Sequence, residues 1–276
     1  MFTFRDAEYP ADPYPGRRAP TSFVHVDGVG YPLTAEPSGY VVSGANGSGP
    51  DGSGPDGSGG SRDVDGRGGV PLDAWLAARG AQPLAGRTPV LAYGSNACPS
   101  KLTWLRDNLG FTGPAVALLA DCVGYAAVWT TGVRARDNQR TVTLTLMPNV
   151  QGVSDTPAVT EQHVVLLATD DQLKTLDKCE GADLSCWGEP GRADPRYRRE
   201  LLPDGVVSVA GAALTAPVQA YVGCHPDRLP ALVDGVPVRA VEGAFPASDA
   251  TNDAFTAPNA VKASFSASGD TPPHPP

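Results

Sequence analysis

From Thr88 to Gly223 the chain passes through a succession of short apolar segments separated by Gly, Pro, Asn and Asp. Val90-Leu91-Ala92-Tyr93 is continuously apolar, as expected of a strand covered on both faces. Thr141–Met147 alternates instead. Val142, Leu144 and Leu146 fall on one face and Thr141, Thr143 and Thr145 on the other, the period-two signature of a strand. Ala115–Leu119, Gly124–Trp129, His163–Leu167, Tyr197–Leu202 and Val218–Val222 read as further strands. Upstream, Ser22–Val26 and Tyr31–Leu33 flank an Asp27-Gly28 turn signal and predict a hairpin. Downstream, Leu232–Val236 followed by Val238–Val241 adds another. Pro71–Gly80 reads as a short helix, with Pro near its first turn and Gly past its end. A second helix enters around Pro99 with Leu102, Leu105 and Leu109 as its apolar face. Many short strands and few helices predict a mostly antiparallel sheet that is curled or closed.

A third helix carries one candidate for chemistry. Asp170–Glu180 has Thr169 or Asp170 as its cap and Gly181 as its stop. At ~100° per residue, Leu173, Leu176 and Glu180 lie within one arc of ~60°, so a carboxylate shares the face that packs inward. It also sits at the helix C-terminus, where the dipole disfavours negative charge. Burial and dipole both raise the pKa of such a group, toward the range useful to a general base. The competing reading is a half-exposed Glu180 at a frayed end, paired with Arg192 or Arg198.

The other candidate is the turn at Gly94-Ser95-Asn96, between a strand and a helix. A glycine lets the backbone turn sharply and approach a ligand. Unpaired amides at the following helix start favour an anionic group such as a carboxylate. The competing reading is a structural turn in which Ser95 or Asn96 caps the helix.

Composition sharpens this picture. The 276 residues include 32 Gly and 28 Pro, about a fifth of the chain against an ordinary share of ~12%. A helical bundle or coiled coil is excluded. The excess concentrates in residues 46–69, NGSGPDGSGPDGSGGSRDVDGRGG, and in Ser266–Pro276. Neither stretch holds enough apolar surface to offset the entropy of ordering it, so both are expected to be disordered. The chain then divides into an N-terminal extension (1–45) with its hairpin, the linker (46–69), a domain over 70–242 with its motif-bearing core at 88–223, and a C-terminal extension (243–276). The formal net charge is −9, and the one basic cluster, Arg192 with Arg196, Arg198 and Arg199, is interrupted by acids, which argues against nucleic acid as a partner. No apolar run approaches the ~20 residues of a membrane span, and the first residues lack the basic start and apolar stretch of a secretory signal. The expected setting is the cytoplasm. The five cysteines are odd in number and scattered without a Cys-x-x-Cys pair, so neither a disulfide framework nor a zinc site is expected.

Taken in order, Tyr93-Gly94-Ser95-Asn96 and Leu176-Asp177-Lys178-Cys179-Glu180-Gly181 resemble the two signature motifs of the γ-glutamylcyclotransferase-like family (AIG2-like), its Tyr-Gly-Ser-Asn loop and its Leu-Asp-x-x-Glu-Gly segment. Gly113-Pro114-Ala115, the Thr141–Met147 strand, Val164–Leu167 and Ala220-Tyr221-Val222 fit the segments between and after them. The resemblance covers about half the chain. It implies an α+β fold, a small curled or closed, mostly antiparallel β-barrel with flanking helices. It also implies cyclisation of a γ-glutamyl amino acid or γ-glutamyl amine to 5-oxoproline with release of the amine. Glu180 would be the catalytic acid/base. Tyr93, Gly94, Ser95 and Asn96 would bind substrate, with Tyr197 placed on the substrate side. No metal or organic cofactor is implied, and the partner is a small γ-glutamyl compound. The chain departs from the family in the 92 residues that precede the first motif, in the longer stretch between Glu180 and Tyr197, and in residues 224–276.

Other chemistries fit less well. Ser95 does not sit in a Gly-x-Ser-x-Gly elbow, and His25, His163 and His225 have no motif around them. Cys224 and His225 are adjacent, so on a strand they point to opposite faces. The main alternative is a non-catalytic protein that binds a small amine or acyl-amine metabolite.

Overall fold

The structure, a computed structural model, describes residues 2–43, 69–135, 137–147, 158–182, 194–210, 212–214 and 216–240. The expected linker 46–69 lies outside these residues except for Gly69, and the expected C-terminal extension 243–276 lies wholly outside them.

The fold begins with β1 (Phe4–Arg5), β2 (Phe23–Val26), β3 (Val29–Glu36), β4 (Gly39–Val42) and β5 (Val70–Pro71). Then come α1 (Leu72–Ala77), β6 (Thr88–Ala92), α2 (Pro99–Leu109), β7 (Ala115–Val123), β8 (Tyr125–Val133), β9 (Arg140–Leu146) and β10 (Thr160–Ala168). The last group is α3 (Asp170–Glu180), β11 (Tyr197–Leu201), β12 (Val207–Val209), β13 (Ala212–Ala213), β14 (Gln219–Gly223), β15 (Leu232–Val233) and β16 (Val236–Pro237). Most of the strands and helices read from the pattern form, including the hairpin at Asp27-Gly28. The downstream hairpin turns instead at Asp234-Gly235, inside the segment Leu232–Val236 expected to be one arm, and β1, β4, β5, β12 and β13 had no reading in the sequence.

Their assembly differs from expectation. Twelve strands form one mixed sheet with the path β11-β14-β6-β10-β7-β2-β3-β4-β5, and β14 pairs with β6 in parallel. The expected closed or curled barrel does not form, because the path ends at β11 and at β5 and these ends do not pair. The physical reason is occupancy of edges. β10 is laddered to β6 on one side and β7 on the other. The far edge of β7 is taken by β2, through Phe23↔Ala117, and by β12, through Val207↔Cys122. The N-terminal hairpin therefore carries the sheet outward to β3, β4 and β5, and no edge of β7 is left to accept a closing strand. The N-terminal extension is part of the sheet and not an appendage to it. β8 and β9 pair with each other as a separate two-stranded ribbon, as do β15 and β16.

Alternation along the central strands explains their continuous apolar runs. Leu91, Val116, Leu118, Val165 and Leu167 pack on one face with Trp75 and Leu76 of α1 and with Trp129 and Leu144 of the ribbon. Val90, Ala115, Ala117, Val164 and Leu166 pack on the other with Leu102 and Leu105 of α2 and Leu176 of α3. Both faces of the sheet are covered, so both sets of side chains are apolar. Among the described residues no helix is long and apolar enough to cross a membrane.

Candidate functional site

After β6, Gly94 opens a 3-10 turn over Ser95–Ala97 that leads into α2. Gly94 has φ −111° and ψ −150°, extended backbone open to any residue, so the sharp turn does not require glycine. What excludes a side chain is space: a Cβ here would stand 2.9 Å from Tyr14 Oη and 3.3 Å from Val142 Cγ2. Neither Ser95 nor Asn96 caps the helix. The N-cap is Cys98, without a side-chain cap bond, and Asn96 turns its amide elsewhere. The N–H groups of Ser95 and Asn96 precede the first bond of the turn, from Ala97 N to Gly94 O, and so have no partner within it.

The partner of Asn96 is Glu180. Asn96 Nδ2 donates to Glu180 Oε1 at 2.7 Å, across 84 residues of chain. α3 delivers this carboxylate through well-defined ends. At its start, Thr169 Oγ1 accepts from Gln172 N and Gln172 Oε1 accepts from Thr169 N, a reciprocal capping box. At its end, Gly181 adopts φ 65°, the left-handed conformation that stops a helix and that a side chain resists. Between them, Asp177 accepts from Tyr221 Oη at 2.8 Å and pairs with Arg199 Nε at 3.0 Å, which fixes the last turn of α3 to β14 and β11. Leu176 is fully buried beneath.

Burial pushes the Glu180 carboxyl above its ordinary value. The Asn96 bond and the positive charges of Lys101, Arg196 and Arg228 oppose that rise without cancelling it. The residue is half-buried, and the Gly181 stop together with the bond from Asn96 holds it in an ordered helix end, not a frayed one. Of the arginines considered as partners, Arg198 lies 3.8 Å from Glu200, and Arg192 falls outside the described residues.

These groups line a cavity of about 540 Å³, a volume suited to a small molecule. Tyr93, Gly94, Ser95, Asn96, Glu180 and Tyr197, the residues singled out from sequence, all line it. Two of the tyrosines contribute rings more than hydroxyls. Tyr93 Oη donates to the Tyr221 carbonyl, and Tyr197 Oη donates to the Val142 carbonyl at 3.0 Å. The pattern-based reading missed other polar lining residues, among them Tyr14, Lys101, Arg134, Arg196, Asp227 and Arg228. Lys101 and Arg196 lie close in sequence to the two motifs and were within reach of the reading. Arg228 gave no signal, though it is only 6% exposed and among the described residues its Nε has no hydrogen-bond partner. Tyr14 sits in a Pro-rich stretch that has no periodicity.

Among the described residues no group of three or more His, Cys, Asp or Glu is placed to hold a metal ion. No protein-family model, curated protein or solved structure matches the chain. The chemistry of the cavity is therefore read from its own geometry.

Proposed function

We propose that this chain cyclises a γ-glutamyl amino acid or γ-glutamyl amine to 5-oxoproline and releases the amine. The observation that carries the reading is the meeting of Asn96 and Glu180 in one cavity with the open amides of the Gly94 turn. The resemblance of the two motifs to the γ-glutamylcyclotransferase-like family motivates the choice of reaction, and the open sheet lends it no support.

In this mechanism the neutral α-amine of the substrate attacks its own side-chain amide carbonyl. As the new C–N bond forms, the Glu180 carboxylate takes a proton from the attacking nitrogen. The tetrahedral centre then collapses, the bond to the leaving nitrogen breaks, and Glu180 hands its proton to that nitrogen. Asn96 holds Oε1 and leaves Oε2 to the substrate. A carboxyl raised by burial is better matched to both proton transfers than an ordinary one. The N–H groups of Ser95 and Asn96 suit the substrate carboxylate or the developing oxyanion. Because the ring closure is intramolecular, holding the substrate in a folded shape supplies much of the acceleration. Lys101, Arg196 and Arg228 around the cavity favour an acidic substrate.

The same reading sets the protein in the cytoplasm with a small-molecule partner, in keeping with its net charge of −9 and with free Cys98, Cys122, Cys179 and Cys224. The test is a panel of γ-glutamyl amino acids and γ-glutamyl amines, followed by 5-oxoproline release. Release from at least one member is expected. Ligand-induced rises in Tm without release across the panel would replace the enzyme with a binding protein.

A further inference from the structure

Four tyrosines line the cavity, and three of their protons are taken by the protein. Tyr93 Oη donates to the Tyr221 carbonyl, Tyr197 Oη to the Val142 carbonyl, and Tyr221 Oη to Asp177 Oδ1. Tyr14 is different. Its Oη accepts from Val142 N at 3.2 Å, and among the described residues no acceptor takes its proton. Tyr14 and Tyr197 thus bracket a single residue of β9, one accepting from its N–H and the other donating to its carbonyl.

The segment that brings Tyr14 here is held on both sides. The Tyr14 amide donates to Gln139 Oε1 at 2.9 Å, and the Pro15 carbonyl accepts from Cys98 Sγ at 3.4 Å. Arg18 reaches the Tyr93 carbonyl, directly before Gly94, and the Gln162 carbonyl at 3.0 Å. The Arg134 guanidinium lies 4.6 Å from the centre of the Tyr14 ring. The phenol oxygen is close enough to Gly94 that a Cβ on that residue would meet it at 2.9 Å. Burial, with Tyr197 and Glu180 close by, pushes the phenol well above its ordinary value, so the proton stays available for donation.

We propose that the N-terminal segment completes the site and that Tyr14 is a ligand-binding residue, its hydroxyl donating to a carboxylate held at the Gly94-Ser95-Asn96 turn. A carboxylate is the acceptor that fits, because Lys101, Arg134, Arg196 and Arg228 outnumber Glu180 and Asp227 in the lining of the same cavity, even with Arg134 paired to Asp137 at 2.7 Å. The identity of the probes rests on the cyclisation proposed above; the role of Tyr14 as a donor does not.

The test is titration calorimetry with L-5-oxoproline, L-glutamate and, in a Glu180→Gln background, γ-L-glutamyl-L-alanine. Tyr14→Phe keeps the ring on Arg134 and removes the donor. It is expected to weaken the probes about tenfold or more, the usual loss for a hydrogen bond to a charged group, while Tm stays within a few degrees. Tyr197→Phe, whose hydroxyl is spent on Val142, should weaken them less. With isotope-labelled tyrosine rings in the unsubstituted protein, saturating L-5-oxoproline should shift the Tyr14 signal more than that of Tyr197. Equal affinity in the Tyr14 and Phe proteins, or failure of the Tyr14 protein to bind any of the probes, would overturn the proposal. Release of 5-oxoproline is scored separately. No release, together with tenfold weaker probe binding in Tyr14→Phe, would remove the enzyme and leave Tyr14 as a ligand contact.

Discussion

Asn96 Nδ2 donates to Glu180 Oε1 at 2.7 Å, so the turn after β6 and the last residue of α3 share one hydrogen bond although 84 residues separate them. A half-buried carboxyl with one oxygen held by an amide is arranged to exchange a proton at a fixed point. The amide also limits how far burial raises the group, because it favours the ionised form.

Asn96→Ala removes that favourable contact. The apparent pKa of Glu180, followed by NMR titration of its side-chain carboxyl, should rise further, by roughly one to two units for a bond to a charged acceptor. Catalysis that needs the carboxylate should then be lost at a higher pH as the pH falls. An unchanged titration would mean that the bond does not restrain Glu180 in solution.

Asp177 ties the same helix end to the sheet. It accepts from Tyr221 Oη at 2.8 Å and pairs with Arg199 at 3.0 Å, and both partners are largely shielded from water. Asp177→Ala should cost about 2 kcal/mol, seen as a lower denaturant midpoint with an unchanged slope. Loss of 5-oxoproline release should accompany it, because Glu180 lies one turn further along α3.

His25 supplies one contribution to the pH dependence of stability. It is completely buried in β2, and among the described residues neither ring nitrogen has a hydrogen-bond partner. Burial, with Arg106 nearby, lowers its pKa from 6.5 to about 4. Between these values the unfolded chain binds the proton and the folded chain does not. The His25 contribution is therefore complete above pH 6.5 and is lost as the pH drops toward about 4. The loss should approach roughly 3 kcal/mol relative to His25→Leu, measured as the difference between their unfolding free energies at the two ends of that range. Parallel pH profiles for the two proteins would exclude His25 as the cause.

Elements were legible where their signal is local. The Thr169 cap and Gly181 stop define α3, the Asp27-Gly28 turn defines the first hairpin, and alternation in Thr141–Met147 defines β9. The inward placement of Glu180 between Leu173 and Leu176 was legible in the helical period, but its partner Asn96 was not, since 84 residues separate them. Pairing between distant strands has no such signal. Nothing in Phe23-Val24-His25-Val26 says that it docks on Ala115–Ala117 and takes the edge that a barrel would need for closure. The parallel join of Ala220 to Leu91 is likewise set by which edge of β6 remains open once β10 occupies the other. Tyr14 was invisible for a related reason: its place is fixed by Gln139 and Val142, from a segment with no pattern of its own.

The central claim is that Glu180 transfers the protons of a cyclisation, and 5-oxoproline release by wild type and Glu180→Gln, assayed side by side, tests it most directly. Gln keeps an acceptor for Asn96 and removes a carboxyl whose pKa is raised by burial. A raised acid is destabilising once the pH exceeds its unfolded value of 4.5, so the variant should melt at or above the wild-type temperature at neutral pH. The account predicts steady release by the wild type and none above background by this well-folded variant. Comparable release by both proteins would contradict it.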